Sequence, residues 1–194
     1  MTRIGWVVLG MIVLAAAAFA AMLGGGDAPR RAKAPEAPAV ALAAGAWQVD
    51  GMPQLAMPVA GIARSAVTDS WGDARSGGRG HKGNDVMAAA GTPVVAVTPG
   101  TVEKLFQSRL GGTTLYLRSP DRRWLFYYAH LMAYAPGIRE GQQVKAGDLL
   151  GFVGDTGEGS GGNPHLHFST TRVRPDEKWY QGEDVNPYPM LRGR

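Results

Sequence analysis

From Trp47 onward the chain is built of short apolar runs, each cut off by Gly or Pro before it could complete a helix of useful length. Thr92–Val97, Thr101–Phe106, Thr113–Leu117, Trp124–Ala129, Leu149–Val153 and His165–Thr170 are rich in β-branched and aromatic residues and read as strands. Pro99-Gly100, Gly111-Gly112, Pro120-Asp121, Pro136-Gly137 and Ala146-Gly147-Asp148 lie between them as breakers. No long amphipathic helix stands out, so the expected class is mainly β: an antiparallel sheet core with long loops. Thr113 to Arg118 alternates with period two, which predicts a sheet with one wet face. Gly91-Thr92-Pro93-Val94 and Gly141-Gln142-Gln143-Val144 each lead through a short turn into another strand, a lipoyl-hybrid-like rhythm. Lipoyl and biotinyl carriers modify a lysine at a hairpin tip. The comparable tip here, Gly154-Asp155-Thr156-Gly157, has none, which excludes the carrier reading.

Composition narrows the chemistry. The 28 glycines are about twice the usual ~7% share, which suits many turns and close backbone approaches. With no cysteine, disulfides, thiolate metal sites, a cysteine nucleophile and a lipoprotein anchor are all excluded. Any metal must be held by nitrogen and oxygen. The net charge of +4 carries no basic stripe interleaved with aromatics, so no nucleic-acid partner is expected.

The first 46 residues read differently from the rest. Ile4 to Gly24 carries no charge and matches the ~20 residues of a membrane-crossing helix, so an N-terminal hydrophobic helix is expected there. Arg3 precedes it, and Ala18-Phe19-Ala20 has the small-x-small form of a cleavage site. Residues 1–24 therefore form a signal-anchor or signal peptide. Residues 25–46, rich in Ala and Pro, form a linker, and 47–194 the folded domain. Arg30, Arg31 and Lys33 just downstream pull toward the cytoplasm by the positive-inside rule. Against that pull, the short head favours export. The domain is then anchored in the inner membrane facing the periplasm or cell-wall space, or secreted after cleavage.

All four histidines fall in three short clusters: His81-Lys82-Gly83-Asn84-Asp85, Ala129-His130-Leu131 and Pro164-His165-Leu166-His167-Phe168. Residues i and i+2 of a strand share a face, so His165 and His167 stand side by side with Leu166 turned into the core. Two such rings do not comfortably ligate one ion. The natural division has one as ligand and the other reaching toward water or substrate. His81 and Asp85, four apart, span a turn or irregular strand because Gly83 and Asn84 disfavour a helix. Imidazole with carboxylate suits Zn²⁺ at ~2.0–2.2 Å. His130 ends an aromatic strand, a place where a lone histidine is ordinarily a satisfied core residue. Lys82 and Arg79 read as solvated loop charges rather than as contacts to substrate carboxylates.

Taken together, Pro58–Val97 and Val144–Phe168 resemble the M23 family of zinc metallopeptidases, the LytM or lysostaphin type, over about Met57 to Arg172. Three blocks carry the resemblance. They are HxxxD with an Arg- and Gly-containing segment before it and a GTPV turn after it, the isolated AH after an aromatic strand, and HLHF. The resemblance implies an M23-like fold, Zn²⁺ held by His81, Asp85 and His167, and catalytic histidines at His130 and His165. Two imidazoles and a carboxylate leave a fourth position open, as catalytic zinc sites do. It further implies an exported endopeptidase cutting peptide cross-links of bacterial peptidoglycan, tethered to the membrane through residues 4–24 if these stay uncleaved. The glycine-rich Gly154–Gly162 stretch is expected to let backbone approach a narrow peptide.

Two other functions fit parts of this pattern. Two histidines and a carboxylate also make the facial triad of Fe(II) oxygenases, but that leaves His130 and His165 unexplained. A non-catalytic exported adaptor that binds or activates a cell-wall amidase is the alternative function, and five intact site positions argue against it.

Overall fold

The computed structural model describes residues 48–49 and 52–193. The hydrophobic helix expected over 4–24 and the linker expected over 25–46 lie outside them. Among the described residues no helix is long and apolar enough to cross a membrane.

Two small hairpins come first: β1 (Gln48–Val49) with β2 (Met52–Pro53), and β3 (Ala74–Arg75) with β4 (Arg79–Gly80). The remaining strands are β5 (Asn84–Met87), β6 (Pro93–Val95), β7 (Gly100–Ser108), β8 (Gly112–Arg118), β9 (Trp124–Tyr134), β10 (Gln143–Val144), β11 (Leu149–Val153), β12 (His165–Arg172) and β13 (Glu183–Val185). They form one nine-stranded sheet ordered β10-β7-β8-β9-β11-β6, and β12 joins it through β9 while also pairing with β5 and β13. Every pairing is antiparallel. The mainly β antiparallel class expected from the broken apolar runs is therefore the observed one. The single α-helix described, α1 (Tyr188–Arg192), starts behind Pro187 and buries Met190 and Leu191. The Arg64 guanidinium ties it down by donating to the Leu191 and Leu55 carbonyls.

β9 organises the sheet because it has two different neighbours on one edge. Its first half, Trp124 to Ala129, pairs with β12, ending at Ala129 opposite His167. Its second half pairs with β11, beginning at Leu131 opposite Val153. Between them stands His130 with φ of 60°, in the left-handed region. A non-glycine residue there costs roughly 1–2 kcal/mol and persists only where its surroundings enforce it. Here the His130 amide donates to the Gly111 carbonyl at 2.8 Å, which holds the turn. The chain thus forks its sheet at a histidine. Sequence periodicity ends this strand at Ala129; the structure carries it through the fork to Tyr134.

The core fills one face of the sheet, with Leu115, Leu117, Phe126, Tyr128, Leu166 and Phe168 all fully buried. Each such side chain contributes about 1.5–3 kcal/mol of hydrophobic burial. The opposite face was expected to be wet, but Thr114 and Arg118 on it are also 0% exposed. Over Arg118 the cause is the segment between β12 and β13, while the Thr114 hydroxyl is turned onto the Phe106 carbonyl at 2.8 Å. Arg118 donates to the Glu177 carbonyl at 2.9 Å and the Arg122 carbonyl at 3.3 Å, and pairs bidentately with Glu103 at 2.9 and 3.0 Å. A charge this deep survives because each of the three guanidinium nitrogens finds an oxygen.

Removing the carboxylate tests this arrangement. Glu103→Ala leaves the Arg118 guanidinium buried and uncompensated. Broken buried pairs cost ~3–5 kcal/mol, and since Glu103 is partly exposed the expected loss is about 2–4 kcal/mol in urea unfolding. A loss below about 1 kcal/mol would mean that backbone carbonyls alone satisfy the guanidinium.

Candidate metal centre

The three histidine clusters meet at the fork. β12 lies beside β5 with His167 opposite Asp85, and beside β9 with His167 opposite Ala129. His81 enters on the loop from β4, its amide held by the Asp73 carbonyl at 2.9 Å. His81 Nε2 lies 2.8 Å from His167 Nδ1 and 3.2 Å from Asp85 Oδ1, and His167 Nδ1 lies 3.1 Å from Asp85 Oδ1. Donors ~2.0–2.2 Å from one tetrahedral ion sit about 3.3 Å from each other, so these separations suit a shared cation.

Protonation supports the same conclusion. His81 Nδ1 faces the Ser70 carbonyl at 2.7 Å, so that nitrogen carries the proton and Nε2 presents a lone pair inward. Arg75 Nη2, 2.9 Å from the same Nδ1, is a donor and gives its hydrogen instead to Asp85 Oδ2 at 2.5 Å. Burial would push the Asp85 carboxyl up, but the His167 and His81 imidazoles beside it hold it well below the usual carboxylate range. Burial pushes the His167 imidazole down despite the neighbouring carboxylate. Two imidazole nitrogens and one carboxylate oxygen therefore converge on one point, and a metal cation satisfies all three at once. Among the described residues these three are the grouping of His and carboxylate side chains able to hold such an ion.

His130 and His165 flank this point. Their rings are 4.8 Å apart, and the His130 ring is 6.0 Å from that of His167. Each ties Nδ1 to a backbone carbonyl, His130 to Thr156 at 2.8 Å and His165 to Asn163 at 2.7 Å. Nδ1 is then the protonated nitrogen and Nε2 is free to take a proton; His165 Nε2 lies 3.7 Å from Asp85 Oδ1. Burial pushes the His130 imidazole down to about 4, so it is neutral at pH 7. The side-by-side placement of His165 and His167, with Leu166 fully buried behind them, follows the strand period. The cleft over these groups has a volume of about 710 Å³, with Arg75, Arg79, Lys82, Leu110, Tyr127 and Glu158 on its walls.

The positioning groups were not visible in the sequence. Ser70, Thr156 and Asn163 act through backbone carbonyls, which every residue has. Arg75 sits in the Arg- and Gly-containing segment before His81, but nothing in the sequence separates it from Arg79. Lys82 is exposed and pairs with Asp184 at 2.9 Å. The glycine-rich stretch also has a nearer purpose than a peptide substrate. A Cβ on Gly157 would stand 2.2 Å from the Gly112 nitrogen, and one on Gly154 2.4 Å from the Met132 nitrogen. These glycines let the loop lie against the chain's own backbone, which carries the Thr156 carbonyl to His130.

Known proteins were compared with this geometry in hand. The family model described as "Peptidase family M23" matches residues 79–187. The chain is 37% identical over 130 residues to the L-Ala–D-Glu endopeptidase of Bacillus subtilis, covering 63% of this chain and 38% of that protein. It thus spans well under half of that relative's length. Its fold matches the catalytic domain of the antimicrobial peptidase lysostaphin from Staphylococcus simulans with a TM-score of 0.55 and 29% identity, over 66% of this chain and 92% of that one. A zinc-containing peptidase from Vibrio cholerae matches with a TM-score of 0.50 and 26% identity, over 61% of this chain and 34% of that one.

Gly83, between His81 and Asp85, tests the packing of the centre. A Cβ there would stand 2.7 Å from His167 Cε1, 2.8 Å from His167 Nε2 and 2.7 Å from the Phe168 carbonyl. The backbone cannot yield, so the His167 ring must. Gly83→Ala is expected to weaken metal affinity about 10–100-fold in chelator competition, the range typical of altered support around a ligand. Unchanged affinity would show that the His167 ring has no part in holding the ion.

Proposed function

The chain belongs to peptidase family M23, and on that premise we propose that it is a zinc-dependent endopeptidase hydrolysing peptide cross-links of bacterial peptidoglycan. The observation that carries this reading is the convergence of three lone-pair donors, flanked by two further imidazoles whose Nε2 atoms are free. His81, Asp85 and His167 are the residues that would hold the ion. The nitrogen and oxygen donor set fits Zn²⁺, in keeping with the zinc-containing peptidase among the structural neighbours. Zinc bound there supplies Lewis-acid polarisation of a carbonyl and activation of water near neutral pH.

The chain's own residues supply the rest. His130 and His165 stand on the cleft side of the three donors, each with its tautomer fixed by a backbone carbonyl. One takes a proton from the attacking water at Nε2 and delivers it to the leaving amine. The other donates to the oxyanion that develops on the scissile carbonyl in its doubly protonated form, in which Nε2 also carries a hydrogen. The low pKa of His130 leaves Nε2 unprotonated and ready to accept. Arg75 holds the Asp85 carboxylate by Oδ2, which leaves Oδ1 to His81 and His167.

Alanine variants separate the two groups. His81→Ala, Asp85→Ala and His167→Ala should lose both zinc and hydrolysis. His130→Ala and His165→Ala should keep most of the zinc while turnover falls about 10²–10⁴-fold. Metal analysis of the purified variants, with release of fragments from sacculi, reads both. A metal-free but folded His130→Ala or a zinc-replete His167→Ala would overturn the assignment.

The same reading requires delivery across the membrane, for which we take the uncharged Ile4–Gly24 run as anchor or cleaved signal. The relative that cuts an L-Ala–D-Glu bond supports a substrate on the outer side. An alkaline-phosphatase fusion after residue 46 should be active and a green-fluorescent one dark. The reverse pattern would place the domain in the cytoplasm and remove peptidoglycan as its substrate.

A further inference from the structure

A run of aromatic rings leaves the metal centre across the face of the sheet. Tyr127 stands edge-on to His167 at 5.9 Å, Tyr116 packs on Tyr127 at 4.6 Å, and Trp179 packs on Tyr116 at 4.9 Å. There the run branches, to Phe106 at 5.3 Å and Tyr180 at 5.4 Å. Tyr116 and Tyr127 are register partners on β8 and β9, so the run crosses the strands rather than following one. Its inner rings are half-buried. At the outer end Phe106 is 39% and Tyr180 62% exposed, on either side of a half-buried Trp179.

Exposed, mutually packed rings of this kind mark a binding surface rather than a core. Two of the lysines around them are matched by carboxylates, Lys104 by Glu140 at 2.8 Å and Lys82 by Asp184 at 2.9 Å, and Lys178 lies 5.9 Å over the Tyr180 ring. The corner therefore suits a flat ligand without net charge. A pyranose ring is such a ligand: its C–H groups meet the negative faces of the aromatic rings while its hydroxyls remain in water.

We infer that Phe106, Trp179 and Tyr180 form a platform for the glycan strand from which the peptide in the cleft is suspended. The inference rests on the peptidoglycan reading above and adds a distance to it. Trp179 packs on Tyr116 of β8, a strand two spacings or about 10 Å from β12. The ring-to-ring steps bring it no farther than about 15 Å from His167, so the gap spans about three to five extended residues. A stem peptide joins its sugar through its first residue. With the sugar on the platform, the bond next to it falls short of His130 and His165. The bond that reaches them lies at the far end of the stem, where cross-links form. That differs from the L-Ala–D-Glu specificity of the Bacillus relative.

The test uses the full chain and two synthetic substrates that share one cross-linked peptide, one of them carrying the disaccharide. The native chain should show a KM about three- to tenfold lower for the sugar-bearing substrate, the scale of one aromatic stacking contact. In Tyr180→Ala and Trp179→Ala that ratio should collapse to about one, and in Trp179→Phe most of it should remain. Mass spectrometry should place the cut at the cross-link. Equal KM values in the native chain, a ratio that survives both alanine variants, or a cut beside the sugar would each overturn the platform. If the native chain cuts neither substrate, the endopeptidase reading fails by itself. The platform is then read by titrating an N-acetylglucosamine oligosaccharide against the Trp179 indole proton signal, assigned with Trp179→Phe. A saturable shift lost in Tyr180→Ala supports it, and no shift overturns it.

Discussion

The left-handed backbone at His130 is the constraint on which the site depends. It is the point where β9 leaves β12 and takes β11 as its neighbour. Without that break β9 would run on beside β12, with no room for a cleft at the end of the ladder. With it, the edge opens just where His165 and His167 enter β12. The strained residue is also the one whose ring flanks the metal centre. Strain at such a position survives when the surroundings over-determine it. Here the Gly111 carbonyl fixes the His130 amide and the Thr156 carbonyl fixes its ring.

Electrostatics completes what the backbone begins. His81, His130 and His165 each commit Nδ1 to a main-chain carbonyl and turn Nε2 toward the cleft. His167 alone presents Nδ1. Burial disfavours an extra proton on His130 and His167, and the Asp85 carboxylate stays ionised under the pull of its neighbours.

Much of this was legible in the sequence, for reasons that differ by residue. The strand period put His165 and His167 on one face and Leu166 behind them, since a two-residue repeat leaves no other choice. The Gly83-Asn84 pair argued against a helix, and β5 does begin at Asn84. What stayed hidden was carried by groups without a sequence signature. The supporting carbonyls of Ser70, Thr156 and Asn163 could belong to any residue type, and Arg75 is one arginine among several. His130 looked like the end of a strand because a left-handed residue inside a strand has no pattern of its own. The reach of Gly154 and Gly157 was only half legible for a related reason. Sequence shows that backbone comes close to something at Gly154 and Gly157, not that the partner is the chain itself.

The expected wet face failed in a more informative way. Alternation along β8 correctly separates Leu115 and Leu117 from Thr114, Tyr116 and Arg118, yet the second group is covered as well. Over Arg118 the cover is the β12–β13 segment, drawn down by the Arg118 bond to the Glu177 carbonyl and by Arg122 reaching the Pro175 carbonyl at 3.1 Å. That same segment carries Trp179 onto Tyr116 and leaves Tyr180 at the surface. A buried ion pair between Arg118 and Glu103 adds little net stability over an apolar replacement. Its consequence here is positional. By fixing Glu177, it sets where the two neighbouring aromatic residues lie, and so couples the most buried charge of the sheet to the most exposed rings beside the cleft.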